Sequence, residues 1–145
     1  MGKKVFISYV REDSDAVDKL ATSLRSHGVD VWVDRTHLGV GVRWKDAIRT
    51  AIRNGDYFLA FFSQAFNDRP RTYMMEELHV AVDELRQRPR ERAWFLPISY
   101  GLATLPEHPI GSGETIRDLH CVDLAADWDG GISNLLRVLS QSDIP

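Results

Sequence analysis

Tyr57-Phe58-Leu59-Ala60-Phe61-Phe62 is an apolar run without a charged residue. A strand with one face in water alternates apolar and polar residues, so an unbroken run indicates a strand that is covered on both faces. Such strands are typical of parallel sheets, because the connections between parallel strands place helices over both faces. The run therefore predicts a strand of an α/β domain.

Strand and helix patterns alternate on both sides of this run. Short runs rich in β-branched and aromatic residues predict strands, and apolar residues at helical spacing predict helices. The predicted strands are residues 5–9, 29–33, 57–62, 94–98 and 119–124, and the predicted helices are residues 14–27, 44–53, 72–88 and 128–140. At a length of 145 residues, this pattern predicts a single domain, residues 1–145, with a flavodoxin-like three-layer α/β fold and a five-stranded parallel sheet in the order 2-1-3-4-5.

Three further segments are predicted to be loops. Two glycines interrupt residues 34–42, and a proline lies within the turn-rich residues 67–71. Residues 101–115 contain two prolines and three glycines and form a connection that is long for a compact domain. We expect this last loop to be functional or mobile.

Composition argues against several classes of partner. The net charge is −3, so the chain lacks the positive field that gathers nucleic acid or an anionic membrane surface. No apolar run approaches the roughly 20 residues needed to span a bilayer. The single cysteine, Cys121, has no partner for an internal disulfide, which fits a reducing compartment. We therefore expect a cytoplasmic protein that binds neither nucleic acid nor membranes.

The topology predicts where a binding site would lie. In open parallel sheets, ligands bind beyond the carboxyl ends of the strands, at the point where the strand order reverses. In the order 2-1-3-4-5 this point lies between the first and third strands. Residues 8–13 and 63–73 and the start of the following helix converge there, with residues 34–42 beside them.

Common catalytic motifs are missing from the chain. It has no P-loop, no GxGxxG after the first strand and no GxSxG nucleophile elbow. Its five histidines show no metal-ligand spacing, so we expect no metal site. Ser8 and Ser63 have no obvious base beside them in the sequence, which leaves a carboxylate as the candidate reactive group.

Two adjacent glutamates lie early in the helix predicted at residues 72–88. The apolar stripe of that helix centres near Leu78, and successive helical residues are about 100° apart. Glu77 then lies roughly 90° from the centre of the stripe, at the edge of the buried face, whereas Glu76 lies roughly 170° away, in solvent. Glu77 can therefore border a cleft. Both glutamates also suit the ordinary role of acidic residues at a helix N-terminus.

Several short motifs occur in an order that is found in one family. Val5-Phe6-Ile7-Ser8-Tyr9, with Asp13 four residues on, resembles the first-strand motif FISYxxxD of toll/interleukin-1 receptor-like (TIR) domains. Residues 28–34 resemble the second strand of these domains and the start of their BB loop, and Leu38, Gly41 and Trp44 match the LxxGxxW ending of that loop. Residues 61–63 resemble the end of the third strand, and Glu77-Leu78 matches the EL of the third helix. The resemblance covers residues 4–139, which is nearly the whole chain.

The resemblance implies a reaction and a catalytic residue. In the enzymatic members of the family, the glutamate of the EL motif splits NAD+ into nicotinamide and a linear or cyclic ADP-ribose product. Carried over by position, that residue is Glu77. Two positions depart from the family pattern, since Tyr73 replaces the usual tryptophan and Arg71 replaces a serine, and the loop before Glu77 is slightly longer than is usual.

A single carboxylate suffices for this chemistry. Cleavage of the nicotinamide–ribose bond passes through a transition state with positive charge on the ribose. Nicotinamide in NAD+ is already cationic and leaves as a neutral molecule, so no acid is needed to protonate it. A carboxylate can stabilise the developing charge or attack the anomeric carbon. NAD+ is thus the expected substrate, and no separate cofactor is expected.

Other residues around the predicted site have two interpretations each. The candidates for substrate binding are Ser8, Tyr9, Arg11, Asp34, Trp44, Ser63 and Tyr73. Arg11 would pair with a pyrophosphate or be a solvated surface residue. Trp44 would stack on a ring of the substrate or pack at the start of a helix. Asp34 would contact a ribose hydroxyl or form a turn, Tyr73 would line the site or pack, and Ser63 would bind substrate or satisfy the strand end.

A second function stays open at this point. Many TIR domains are adaptors that act through TIR–TIR contacts, with the BB loop, here residues 34–42, as the interface. Enzymatic members commonly need self-association too. The resemblance also implies a defence or signalling role, in which a fused or separate sensor domain would fit either function. A receiver-like phosphoacceptor with the same fold is set aside, because Ser63 occupies the place of the aspartate that it needs.

Overall fold

The computed structural model describes residues 3–33, 41, 43–68, 73–89, 93–101 and 103–140. The strands, in chain order, are β1 (Lys4–Ser8), β2 (Asp30–Val33), β3 (Tyr57–Ser63), β4 (Phe95–Tyr100), β5 (Pro109–Gly111), β6 (Glu114–Thr115) and β7 (Val122–Asp123). Five of them form a parallel sheet in the order β2-β1-β3-β4-β7, and β5 and β6 form an antiparallel hairpin. The predicted order 2-1-3-4-5 is confirmed, with β7 as the fifth strand of the sheet.

Helices cover both faces of this sheet. They are α1 (Ser14–Arg25), α2 (Trp44–Asn54), the short α3 (Gln64–Asp68), α4 (Tyr73–Leu85) and α5 (Trp128–Leu139). The apolar residues of α1 and α5 pack on one face, and those of α2 and α4 pack on the other. The predicted three-layer α/β architecture is therefore confirmed.

β3 belongs to both layers of the core. All its residues are buried. Phe58 and Phe62 belong to the core under α2 and α4, whereas Leu59 and Phe61 belong to the core under α1 and α5. Phe58 also stacks on Phe6 of β1, with ring centroids 5.7 Å apart. Because each buried aromatic side chain contributes about 1.5–3 kcal/mol, the unbroken apolar run stabilises both layers at once.

The fifth strand is shorter than predicted. The sequence predicts a strand at residues 119–124, but β7 has only two residues. The preceding segment forms a 3-10 turn, Ile116–Asp118, which begins with a capping box between Thr115 and Asp118. Leu119 then packs against the core on the α2–α4 side, and the chain pairs with β4 only at β7. The capped turn ends directly before the predicted strand, and residues 119–121 form an irregular connection from it to β7.

Two of the predicted loops contain regular structure. The sequence predicts a loop at residues 67–71, but α3 extends to Asp68. Residues 101–115 include the β5–β6 hairpin, whose connection contains Ser112 and Gly113 with positive φ angles of 57° and 77°. Periodicity does not reveal either element, because one is a single turn of helix and the other has strands of only two or three residues.

Residues 34–40 and 42, which form most of the predicted BB loop, lie outside the described residues. Gly41, which is described, has a φ of 84° in a turn, a conformation that glycine adopts without strain. Within the described ranges, the structure has no helix whose length and apolar character would suit a membrane crossing.

Candidate functional site

The carboxyl end of β1 lies against α4. Ser8, the last residue of β1, donates a hydrogen bond from its hydroxyl to Oε1 of Glu77 at 2.6 Å. Ser8 is completely buried, and Glu77 is only 7% exposed. Because β1 lies between β2 and β3, this pair is located at the edge of the sheet where the strand order reverses.

Helix phase separates the two adjacent glutamates of α4. Glu77 is turned toward the core beside Leu78, which is 1% exposed. Glu76 is exposed, and its Oε1 lies 3.8 Å from Nζ of Lys45. An exposed ion pair of this kind contributes about 0–1 kcal/mol. The prediction that Glu76 faces solvent is confirmed, and Glu77 is buried more deeply than the edge position that the sequence predicts.

Glu77 also lines a groove between α2 and α4. The groove has a volume of about 510 Å³. Lys45 and Arg49 of α2 lie on one wall, and Asp83 of α4 lies on the other. Glu77 therefore belongs both to the wall of an open groove and to the buried layer beneath it.

A second hydroxyl–carboxylate pair lies at the end of β3. The Ser63 hydroxyl donates to Oδ2 of Asp13, the last residue of the 3-10 turn that follows β1. The same hydroxyl accepts the N–H of Phe66 at 3.2 Å and thus caps the start of α3. Burial raises the pKa of the Asp13 carboxyl above its ordinary value; the Ser63 hydrogen bond opposes this rise, and the negative charge of Glu12 adds to it.

These contacts correct one interpretation of the sequence. Ser8 and Ser63 have no base beside them along the chain, but both donate to distant carboxylates. Ser8 donates to Glu77, which is 69 positions away, and Ser63 donates to Asp13, which is 50 positions away. No local pattern reveals contacts of this range. Asp13 is the residue that sequence reasoning left out of the candidate site, although its place in the FISYxxxD motif was a signal that pointed to it.

The other candidate residues are distributed around the same edge. Tyr9 is half-buried and packs against the core on the α1–α5 side. Arg11 is exposed and begins the 3-10 turn after β1. Trp44 and Tyr73 are the first residues of α2 and α4, but their side chains, like the whole of Asp34, lie outside the described part of the chain.

The polar groups of the two pairs are carboxylates and hydroxyls. In the ranges that the structure describes, no group of three or more histidine, cysteine, aspartate or glutamate side chains could hold a metal ion. A buried carboxylate that accepts a hydrogen bond has a defined orientation and can stabilise a cationic centre or attack it. Glu77 is buried and accepts a hydrogen bond from Ser8.

The model of the TIR domain family matches residues 5–136, a span that contains both hydroxyl–carboxylate pairs. The chain belongs to the TIR domain family. Among curated proteins, none matches the sequence of this TIR domain.

Solved structures share the fold of this TIR domain. The TIR domain of the Toll-related receptor TRR-2 from Hydra magnipapillata has a TM-score of 0.72 at 19% identity, and the alignment covers 94% of this chain and 98% of that one. The TIR-STING receptor of C. gigas has a TM-score of 0.70 at 20% identity over 94% of this chain, which spans only 40% of the receptor chain. The CMP N-glycosidase BcmB of Clostridium botulinum has a TM-score of 0.59 at 14% identity, with coverage of 93% and 99%. Similarity at these identities shows a common fold.

Proposed function

We propose that this TIR domain is an NAD+ nucleosidase that cleaves the nicotinamide–ribose bond, with Glu77 as its catalytic carboxylate. The observation that carries the proposal is the hydrogen bond of 2.6 Å from buried Ser8 to Glu77. It holds one carboxylate at the edge of the sheet where parallel sheets bind ligands. Glu77 also occupies the position of the glutamate in the family's EL motif.

The reaction requires one bond to break and one to form. The bond between the anomeric carbon and nicotinamide breaks, and its electron pair stays on nicotinamide, which leaves neutral. The Glu77 carboxylate stabilises the positive charge on the ribose or captures the anomeric carbon. Water then adds a hydroxyl group to that carbon and releases a proton, which gives ADP-ribose. Attack by a nucleophilic group of the same ADP-ribose, with loss of its proton where it carries one, gives a cyclic isomer instead.

Ser8 is a positioning residue in this proposal. Because it is completely buried, its hydroxyl contacts Glu77 and not a ligand in solvent. A hydrogen bond to an ionised acceptor is strong enough to restrict the carboxylate to one orientation. Ser63, which is buried and whose hydroxyl contacts Asp13 and the N–H of Phe66, has a positioning role as well. Substrate contacts are assigned to Tyr9, Arg11, Asp34, Trp44 and Tyr73, with Arg11 paired to the pyrophosphate.

The similarity to BcmB supports this class of reaction. That protein is named as a CMP N-glycosidase, and it shares the fold with a TM-score of 0.59. Cleavage of an N-glycosidic bond is therefore compatible with this arrangement of strands and helices. Because one fold supports many functions, the argument for NAD+ cleavage depends on Glu77 itself.

A matched pair of variants tests the assignment. Purified protein at high concentration is incubated with NAD+, and free nicotinamide is measured by liquid chromatography. Glu77→Gln keeps an acceptor for Ser8 and should abolish release, whereas Glu76→Gln, at the exposed neighbouring position, should retain it. Undiminished release by Glu77→Gln would sink the proposal.

The alternative function is an adaptor that acts through TIR–TIR contacts. The alignment over 98% of a receptor's TIR domain favours it. We propose self-association for either function, in a defence or signalling role. Sedimentation velocity identifies the concentration at which the domain associates, and the assay is repeated there. An adaptor would associate without releasing nicotinamide, whereas an enzyme completed by association would release it.

A further inference from the structure

Among the described residues, the strand pairing leaves part of the outer edge of β4 uncovered. Every residue of β4 pairs with β3, but only two of them pair with β7. The carbonyl of Trp94 accepts the N–H of Phe58 and therefore points toward β3. Backbone polar groups of successive residues point to opposite edges of a strand, so those of Phe95 and Pro97 point to the outer edge. Because Pro97 has no N–H, Phe95 is the donor on the uncovered part of this edge.

A cavity of about 640 Å³ lies beside the uncovered edge. Its walls come from α5, from the β5–β6 hairpin and from the end of α4. Its apolar lining includes Trp94, Phe95, Leu96 and Leu135, which are buried, and Ile110, which is half-buried. A volume of this size and an apolar lining are typical of sites that bind small organic ligands.

Three arginines of the described part of the chain line the same cavity. Arg88 is already engaged, because its Nε donates to Glu84 at 3.0 Å and its guanidinium lies 4.5 Å from the centre of the Trp94 ring. Arg86 and Arg137 are exposed, and within the described ranges neither guanidinium has a hydrogen-bond or ion-pair partner. The cavity therefore combines an apolar floor with two available cations at its rim.

We propose that this cavity binds a small amphiphilic carboxylate of the medium-chain fatty acid class. The tail lies on the apolar floor, and the carboxylate pairs with Arg86 and Arg137, whose planar guanidinium groups match its geometry. Among the described residues of the lining, Glu114 is the acidic one, so arginines outnumber acids there. A peptide strand is a poorer occupant, because Pro97 removes a backbone donor from the open edge. The proposal is independent of NAD+ cleavage.

A chain-length series tests the class of ligand. The whole chain is titrated by calorimetry with octanoate, decanoate and dodecanoate, each below its micelle concentration. Every methylene that enters the cavity should strengthen binding about fourfold until the cavity is full. Decanol, which lacks the charge, should bind about tenfold more weakly than decanoate. No saturable binding of any of the three carboxylates, or equal affinity for decanol and decanoate, would overturn the proposal.

Variants test the location of the site. The double change Arg86→Ala/Arg137→Ala should weaken decanoate binding about tenfold or more, whereas Arg49→Ala, an exposed arginine of α2, should not change it. Ile110→Trp fills the cavity from the hairpin and should abolish binding, with circular dichroism as the control for folding. Undiminished binding by the double arginine variant would place the ligand elsewhere, and displacement of decanoate by an acidic apolar peptide of higher affinity would overturn the choice of ligand.

Discussion

Oγ of Ser8 lies 2.6 Å from Oε1 of Glu77, although 69 positions separate the two residues. β1 lies between β2 and β3, so its last residue is inside the carboxyl edge of the sheet, and α4 places Glu77 over it. The carboxylate of the proposed reaction is therefore held by a residue of the core. A change at Ser8 should alter the orientation of Glu77 as well as the stability of the fold.

Ser8→Ala should lower kcat for NAD+ cleavage by about 10- to 100-fold, because a hydrogen bond to a charged group contributes about 1.5–3 kcal/mol. KM should change little, since Ser8 is buried away from any ligand. Ser8→Thr keeps the hydroxyl and should recover much of the rate. Steady-state kinetics give both constants, and wild-type kcat in Ser8→Ala, or a loss confined to KM, would contradict the positioning role.

The raised pKa of Asp13 makes the free energy of unfolding depend on pH. The folded carboxyl keeps its proton to a higher pH than the unfolded carboxyl, so this group's contribution to stability falls as pH rises above about 4. Asp13→Asn should remove that decrease. Urea unfolding across the acidic range measures it, with Asp15→Asn on the exposed face of α1 as the control. A pH-independent difference in unfolding free energy between Asp13→Asn and the wild type would be evidence against the raised pKa of Asp13.

His108 should affect stability in the opposite direction. Its ring centroid lies 5.1 Å from that of His79. Burial lowers the pKa of His108, the neighbouring His79 lowers it further, and Asp83 opposes both. The unfolded state therefore takes up more protons as pH falls below about 6.5, and the free energy of unfolding decreases. His108→Gln should flatten this profile and His120→Gln, an exposed control, should not; identical profiles for both variants would contradict the prediction.

Gly131 of α5 packs closely against the end of the sheet. A Cβ at this position would lie 2.5 Å from Cδ2 of Leu124 and 3.0 Å from Cγ1 of Val122. Helix propensity favours alanine over glycine by about 1 kcal/mol, but overpacking costs about 1–3 kcal/mol. Gly131→Ala should therefore destabilise the domain.

A double-mutant cycle separates these two effects of Gly131→Ala. A Leu124→Ala background removes the closer overlap and leaves the 3.0 Å approach to Val122. Gly131→Ala should therefore be less destabilising there than in the wild type. Thermal and urea unfolding of the four proteins measure the coupling energy. If the changes in unfolding free energy caused by the two substitutions simply add, the close approach of Gly131 to Leu124 does not determine the effect of Gly131→Ala on stability.

Much of the layered fold follows from local patterns in the sequence. Residues 57–62 are apolar throughout and β3 is buried on both faces, and helical spacing located all four long helices. Helix phase also distinguished Glu77 from Glu76, because the angle between neighbouring residues of a helix is a local property. The candidate carboxylate was therefore identifiable before any tertiary contact was known.

Tertiary structure decided the partners of these groups. The contacts of Ser8 with Glu77 and of Ser63 with Asp13 join residues 69 and 50 positions apart, and only the order of the strands brings them together. The two-residue length of β7 depends on pairing with β4, which involves only Val122 and Asp123 and which periodicity does not describe. The sequence by itself determined which residues face inward, since burial follows a local repeat. The folded chain determined which inward-facing residues meet, because that depends on the packing of distant segments.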